Sequence, residues 1–156
     1  MARYAIVVAR FYEDLAERLE RGARSVLGAQ PEAEVEVFDV PGAFELPAAA
    51  RYAAQSDRFR GVVCLGAVIR GETDHYLYVC EAAAQGIREV MLRTGVPCGF
   101  GVLTVDSHEQ ALARSGEGKR DSGAAAAEAV LALAEIRERL ETPDARASVD
   151  RFRADH

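Results

Sequence analysis

GVVCLGAVI, residues 61–69, is the stretch that decides the fold: an uncharged run bounded by Arg60 and Arg70. An apolar run of this length without alternation fits a strand covered on both faces, the central position of a parallel sheet. Working outward, YAIVVA at 4–9 is a second such run. Val35, Val37 and 38–40 give a half-alternating strand that ends at Pro41-Gly42, and 98–104 give a fourth. Helical spacing fills the intervals. Leu15, Ala16, Leu19, Ala23, Val26 and Leu27 form one stripe over 13–27, with Gly28 as the stop. A helix from near Glu45 to Gln55 tolerates Pro47 only in its first turn. The longest helix, 75–93, is capped by Thr73 or Asp74 and stopped by Gly95. Ser107 caps a short helix to Arg114, SGEGKRDSG at 115–123 breaks the pattern, and an alanine-rich helix covers 124–140.

Strands alternating with helices imply parallel pairing and right-handed crossovers. The expected class is α/β: a three-layer α/β/α sandwich on a flavodoxin-like four-stranded parallel sheet of order 2-1-3-4. Residues 1–141 form a single domain in this reading, and 142–156 a polar, loosely docked C-terminal tail. In such sheets ligands sit outside the carboxyl ends of the strands. That rule selects Arg10-Phe11 and residues 41–45, 67–75 and 100–104.

Composition removes several function classes. The 156 residues are 49% hydrophobic and 28% charged, which is ordinary for one globular domain. No run approaches the ~20 apolar residues of a membrane span, and no leader-like pattern opens the chain, so a cytoplasmic protein is expected. A net charge of −6 argues against a nucleic-acid binder. Lys119 is the one lysine, set among Glu117, Arg120 and Asp121 as in a solvated loop, which disfavours a lysine Schiff base. Cys64, Cys80 and Cys98 lie far apart in apolar stretches and read as buried free thiols. His75, His108 and His156 lack metal-ligand spacing, so no metal is expected.

The selected segments hold specific chemistry. Arg70-Gly71-Glu72-Thr73 runs from the central strand onto a helix start, where backbone N–H groups favour an anion, or merely close a capped turn. His75, in the first turn, is either a proton-transfer group or a packed cap. Phe11 is a core aromatic or a stacking platform for a planar ring. The turn PGAFE at 41–45 suits a polyol, or an N-cap with Glu45 in the first turn. Arg114 is an oxyanion clamp or a solvated C-terminal cation.

Together the strings ARFY (9–12), VPGAFELP (40–47), LGAVIRGETDHYLYV (65–79) and TGVPCGFGVLTVDSHEQALAR (94–114) resemble the lumazine synthase family, the 6,7-dimethyl-8-ribityllumazine synthases of riboflavin biosynthesis. The resemblance covers about residues 4 to 140. It implies a transferase that condenses 5-amino-6-(D-ribitylamino)uracil with 3,4-dihydroxy-2-butanone 4-phosphate, releasing phosphate and water, a reaction that calls for no cofactor. By position it implies that Phe11 stacks on the pyrimidine, while Ala43, Phe44 and Glu45 hold the ribityl chain. Ala67, Val68 and Ile69 line the pyrimidine pocket through their backbone. Glu72, by its backbone, and Thr73 bind the phosphate, Arg114 pairs with it, and His75 occupies the proton-transfer position.

The partners so implied are the two small-molecule substrates, a homopentamer with sites shared between subunits, and riboflavin synthase as a candidate, with no nucleic acid and no membrane. Phe100 and Arg114 would then reach into a neighbour's pocket. A non-catalytic flavin- or lumazine-binding module is the alternative; it needs neither the phosphate elements nor His75. Two departures stand out. Ser122 falls where many members carry a second lysine, with Lys119 and Arg120 nearby. The segment before the first strand is short, so the expected assembly is a pentamer or a pair of pentamers rather than a closed shell.

Overall fold

A computed structural model describes residues 1–117 and 120–141. The element order is β1 (Ala2–Ala9), α1 (Glu13–Gly28), β2 (Ala33–Val40), a 3₁₀ turn (Ala43–Glu45), α2 (Leu46–Gln55), β3 (Gly61–Ile69), α3 (His75–Thr94), β4 (Cys98–Val105), α4 (His108–Ala113) and α5 (Ser122–Glu141). The four strands make one parallel sheet of order β2-β1-β3-β4. The α/β class and strand order read from the sequence are the ones observed. Lys119 and the 142–156 tail lie outside the described residues.

Alternation along the strands divides the core into two layers. Ala5, Val7, Val62, Cys64, Cys98 and Val102 face α2 and α3, where Leu46, Ala50, Ala83 and Ile87 cover them. Ile6, Val8, Val63, Leu65, Leu103 and Val105 face α1 and α5, against Leu15, Leu19, Ala127 and Val130. β1 and β3 supply the fully buried residues on both faces, as their uninterrupted apolar runs require. β4 is an edge strand whose α3-side residues Phe100 and Thr104 remain exposed.

Local differences from the sequence reading have physical causes. Gly28 does not stop α1; it is the last helical residue, and Ala29 takes the C-cap. Before α2 the chain first forms a single 3₁₀ turn, so the α-helix begins one residue beyond Glu45, with Pro47 in its first turn. Neither Thr73 nor Asp74 gives α3 a strong side-chain cap: Asp74 occupies the N-cap without one. The Thr73 hydroxyl accepts from the His75 N–H only at 3.4 Å. Gly95 does close α3, at φ +74, where a side chain would be strained. Gly123 lets α5 cross α1 closely, because a Cβ there would collide with the Leu19 carbonyl. Cys64 and Cys98 are buried, but Cys80 is only half-buried because it lies on α3 rather than in the sheet. Burial drives the Cys98 thiol up to about 12 and raises Cys64 as well. Among the described residues, no helix is long and apolar enough to cross a membrane.

Candidate active site

The carboxyl ends of β1, β2 and β3 and the start of α3 enclose an open cleft of about 640 Å³. Its position follows from topology: β1 and β3 are neighbours whose connections leave on opposite faces of the sheet, which opens a crevice between their ends. Phe11, Ala43, Phe44, Glu45, Ala67, Val68, Ile69, Thr73 and His75 all line it, together with Gly71. Residues chosen from three separate segments are thus brought to one place.

Each wall has its own local cause. β1 ends at Ala9, and Phe11 stands clear of the core at 74% exposure, its ring edge-on to Tyr12 at 4.9 Å. Opposite it, Phe44 is 64% exposed on the 3₁₀ turn. Glu45 in the same turn accepts a 3.0 Å hydrogen bond at Oε1 from the Gly42 N–H. The capping role considered for Glu45 is therefore real, and it fixes the carboxylate beside the cleft. The floor is the half-buried end of β3, Ala67, Val68 and Ile69.

The loop between β3 and α3 is tied at its base. The Arg70 N–H donates to the Val105 carbonyl at 2.9 Å, and its guanidinium pairs with Asp106 at 2.9 Å. The same guanidinium lies over the Tyr76 ring, 4.5 Å from its centroid. Beyond that anchor, residues 71–75 are exposed. The weakly capped start of α3 therefore presents backbone N–H groups and the Thr73 hydroxyl to solvent, a setting that favours a negatively charged group.

Three of the selected residues do not line the cleft. Glu72 sits on the exposed loop, next to lining residues on either side. Phe100 pairs with Cys64 midway along β4 and is 46% exposed on the open face of the edge strand. Arg114, at the C-cap of α4, turns its guanidinium back to the Gln110 carbonyl at 3.1 Å. The segment after it is pinned by Arg18, which donates to Ser115 Oγ at 2.9 Å and to the Leu112 carbonyl at 3.0 Å.

Sequence reading missed Tyr12, Tyr76, Tyr78 and Val79, which also line the cleft. The available signal was the run His75-Tyr76-Leu77-Tyr78-Val79 at the start of a helix that begins at a predicted ligand end. Burial, then the adjacent Cys80, raise the Tyr76 hydroxyl above its ordinary value, with Thr104 and Arg70 opposing. Among the described residues, no group of three or more His, Cys, Asp or Glu side chains is arranged to hold a metal ion.

Comparison with known proteins converges on one description. The profile of the 6,7-dimethyl-8-ribityllumazine synthase family matches residues 1–138. A 6,7-dimethyl-8-ribityllumazine synthase of Kineococcus radiotolerans is 51% identical over 134 residues, 85% of this chain and 81% of the relative. The synthase of Salinibacter ruber is 44% identical over 142 residues, covering 89% and 90% of the two chains. That of Erythrobacter litoralis is 44% identical over 140 residues, covering 90% and 99%. With the four-stranded sheet and the cleft where its motifs meet, the chain belongs to the 6,7-dimethyl-8-ribityllumazine synthase family.

Proposed function

We propose that the protein catalyses the family reaction, joining 5-amino-6-(D-ribitylamino)uracil to 3,4-dihydroxy-2-butanone 4-phosphate to form 6,7-dimethyl-8-ribityllumazine. The observation that carries this reading is the cleft itself. It sets an exposed aromatic, a polyol-compatible turn and an anion-favouring helix start around one space. In this assignment Phe11 stacks on the pyrimidine over the Ala67, Val68 and Ile69 backbone. Ala43, Phe44 and Glu45 hold the ribityl chain. Thr73 and the Glu72 N–H take the phosphate.

The chemistry is a sequence of condensations and an elimination. The amine attacks the ketone and expels water as an imine forms. Loss of the C3 proton and of phosphate then leaves an enol that tautomerises to a new ketone, and attack of the ribityl-bearing nitrogen on that carbonyl closes the ring and expels a second water. Holding both reactants in one cleft supplies much of the acceleration. His75, at the mouth of the anion-favouring loop, passes protons between the reacting carbon, the leaving phosphate and solvent, a contribution of about 10²–10⁴-fold at most.

Arg114 and Phe100 complete the site from a neighbouring subunit in this reading, within a homopentamer that works in the cytoplasm and supplies riboflavin synthase. Their location outside their own cleft supports that arrangement. Arg120 adds positive charge near the position where Ser122 replaces the usual lysine. A purely flavin-holding module is not favoured: it has no use for the anion-favouring loop or for His75.

The test is direct. Purified protein given both substrates should produce the fluorescence of the lumazine and release inorganic phosphate in equal amount. Flavin binding without turnover would overturn the proposal.

A further inference from the structure

We propose that Arg10 is a positioning residue that sets the gap between the Phe11 platform and the turn bearing Phe44 and Glu45, and so governs affinity for the ring-bearing substrate. The inference rests on the activity proposed above and extends it to a residue outside the cleft lining. Arg10 ties together the three elements that flank the ring-binding end. Its backbone N–H donates to the Val40 carbonyl at 2.9 Å. Its Nε donates to Asp39 Oδ1 at 2.8 Å, and its Nη2 pairs with Glu20 of α1. Glu20 is held in turn by Arg24 at 2.8 Å. The chain leaves β1 at Ala9 and passes through Arg10 directly into Phe11, and β2 runs from Asp39 and Val40 into the turn at 41–45. One side chain therefore cross-links the roots of both cleft walls.

Such a link matters because Phe11 and Phe44 stand mostly in solvent, so the spacing a planar ring must enter is set chiefly from their bases. The link is also better shielded than others on the molecule. Among the described residues, Arg10–Glu20 is the ion pair with both side chains less than a quarter exposed, whereas Arg3–Glu34, for example, is about half exposed on both sides. The planar fork of a guanidinium can meet two carboxylates in different directions. The point charge of a lysine does so poorly, so the geometry selects arginine rather than charge alone.

The experiment uses the full chain with Arg10→Lys, Arg10→Met and Asp39→Asn. Kinetics with each substrate varied in turn are combined with fluorescence titration of 6,7-dimethyl-8-ribityllumazine. The Met variant should raise KM for the pyrimidine about tenfold and weaken lumazine binding to match, since small misplacement of a binding wall has effects of that order. KM for the butanone phosphate should stay within about twofold, because the Arg70-anchored loop is untouched. The Lys and Asn variants should fall between Met and the parent; Asp39 is largely exposed, so its variant keeps the fold testable. Equal rises in both KM values, or a lowered melting temperature with both KM values unchanged, would overturn the positioning role. If the parent binds the lumazine but makes none, the activity reading fails alone and the titration still decides Arg10. If the parent does neither, both readings fall.

Discussion

Phe11 and Arg114 were selected from the sequence for the same pair of substrates, yet the fold treats them in opposite ways. Phe11 is delivered by the end of a central strand into a cleft shared with residues from two other selected segments. Arg114 is delivered by a short helix beyond the edge strand, hydrogen-bonds to its own helix, and lines no part of that cleft. The difference teaches what a parallel sheet can assemble alone. The carboxyl ends of β1 and β3 and the turn after edge strand β2 meet at one crevice, whereas edge strand β4 and the helix after it place Phe100 and Arg114 outside it. In the proposed reading, a site that uses both Phe11 and Arg114 draws them from two copies of the chain.

The largest effect expected from breaking that division is at Arg114. A guanidinium on a phosphate is a charge-assisted contact of roughly 1.5–3 kcal/mol. Arg114→Ala should therefore lower kcat/KM for the butanone phosphate by about 10- to 150-fold. Mixing it with Phe11→Ala after subunit exchange should return part of the activity, since some interfaces then combine intact Phe11 with intact Arg114. Recovery in steady-state assays would establish the shared site. No recovery after exchange verified by native mass spectrometry would mean that each chain uses its own Arg114.

His75 is next. It lines the same cleft as Phe11, so mixing His75→Ala with Phe11→Ala should rescue neither. His75→Ala should reduce kcat by no more than about 10²-fold, the low end for a single acid–base group, because orientation of the two reactants survives. Complete loss in single-turnover experiments would transfer the burden from positioning to proton transfer.

A smaller change is expected at Phe11 alone. Removing a stacking ring costs on the order of 0.5–1.5 kcal/mol beyond lost area. Calorimetry should show Phe11→Ala weakening the pyrimidine with phosphate-substrate affinity unchanged. The ring is mostly exposed, so the fold should keep its melting temperature. A destabilised variant with unaltered binding would make Phe11 a core residue after all.

The two regions also differ in how far the sequence disclosed them. The cleft was legible because its parts sit where strong local signals end: YAIVVA, GVVCLGAVI and the proline–glycine turn mark strand termini, and strand termini mark ligand ends. The tyrosines Tyr76 and Tyr78 were not legible, since helical period cannot tell a core-facing aromatic from one facing a cleft at a helix start. The weak capping of α3 was equally hidden. Thr73 and Asp74 are preferred cap types, but the backbone holds Asp74 in a helical conformation in which no side-chain cap bond forms. The pinning of the segment after Arg114 by Arg18 joins residues almost a hundred positions apart, a pairing that no local pattern encodes.

The smallest expected effect concerns acid. Beneath the cleft, burial would raise the Glu20 carboxyl, but hydrogen bonds from Arg24 and Arg10 outweigh it and hold the group below its ordinary 4.5. At the edge, Glu117 meets Arg18 and Arg21 while remaining 70% exposed. A carboxyl whose folded value is depressed leaves the folded state with fewer bound protons than the unfolded chain. Its stabilisation is thus complete above about 4.5 and is lost as pH falls through the lower folded value. Each exposed pair contributes roughly 0–1 kcal/mol, and shielding favours the one at the cleft. Thermal unfolding from pH 7 down to pH 3 should therefore give a shallower acid slope for Glu20→Gln than for the parent, from a lower starting melting temperature. Glu117→Gln, at a largely exposed pair, should lower the melting temperature at pH 7 less than Glu20→Gln does. An acid slope in Glu20→Gln as steep as the parent's, or a larger pH 7 loss in Glu117→Gln, would remove the electrostatic contrast between the two regions.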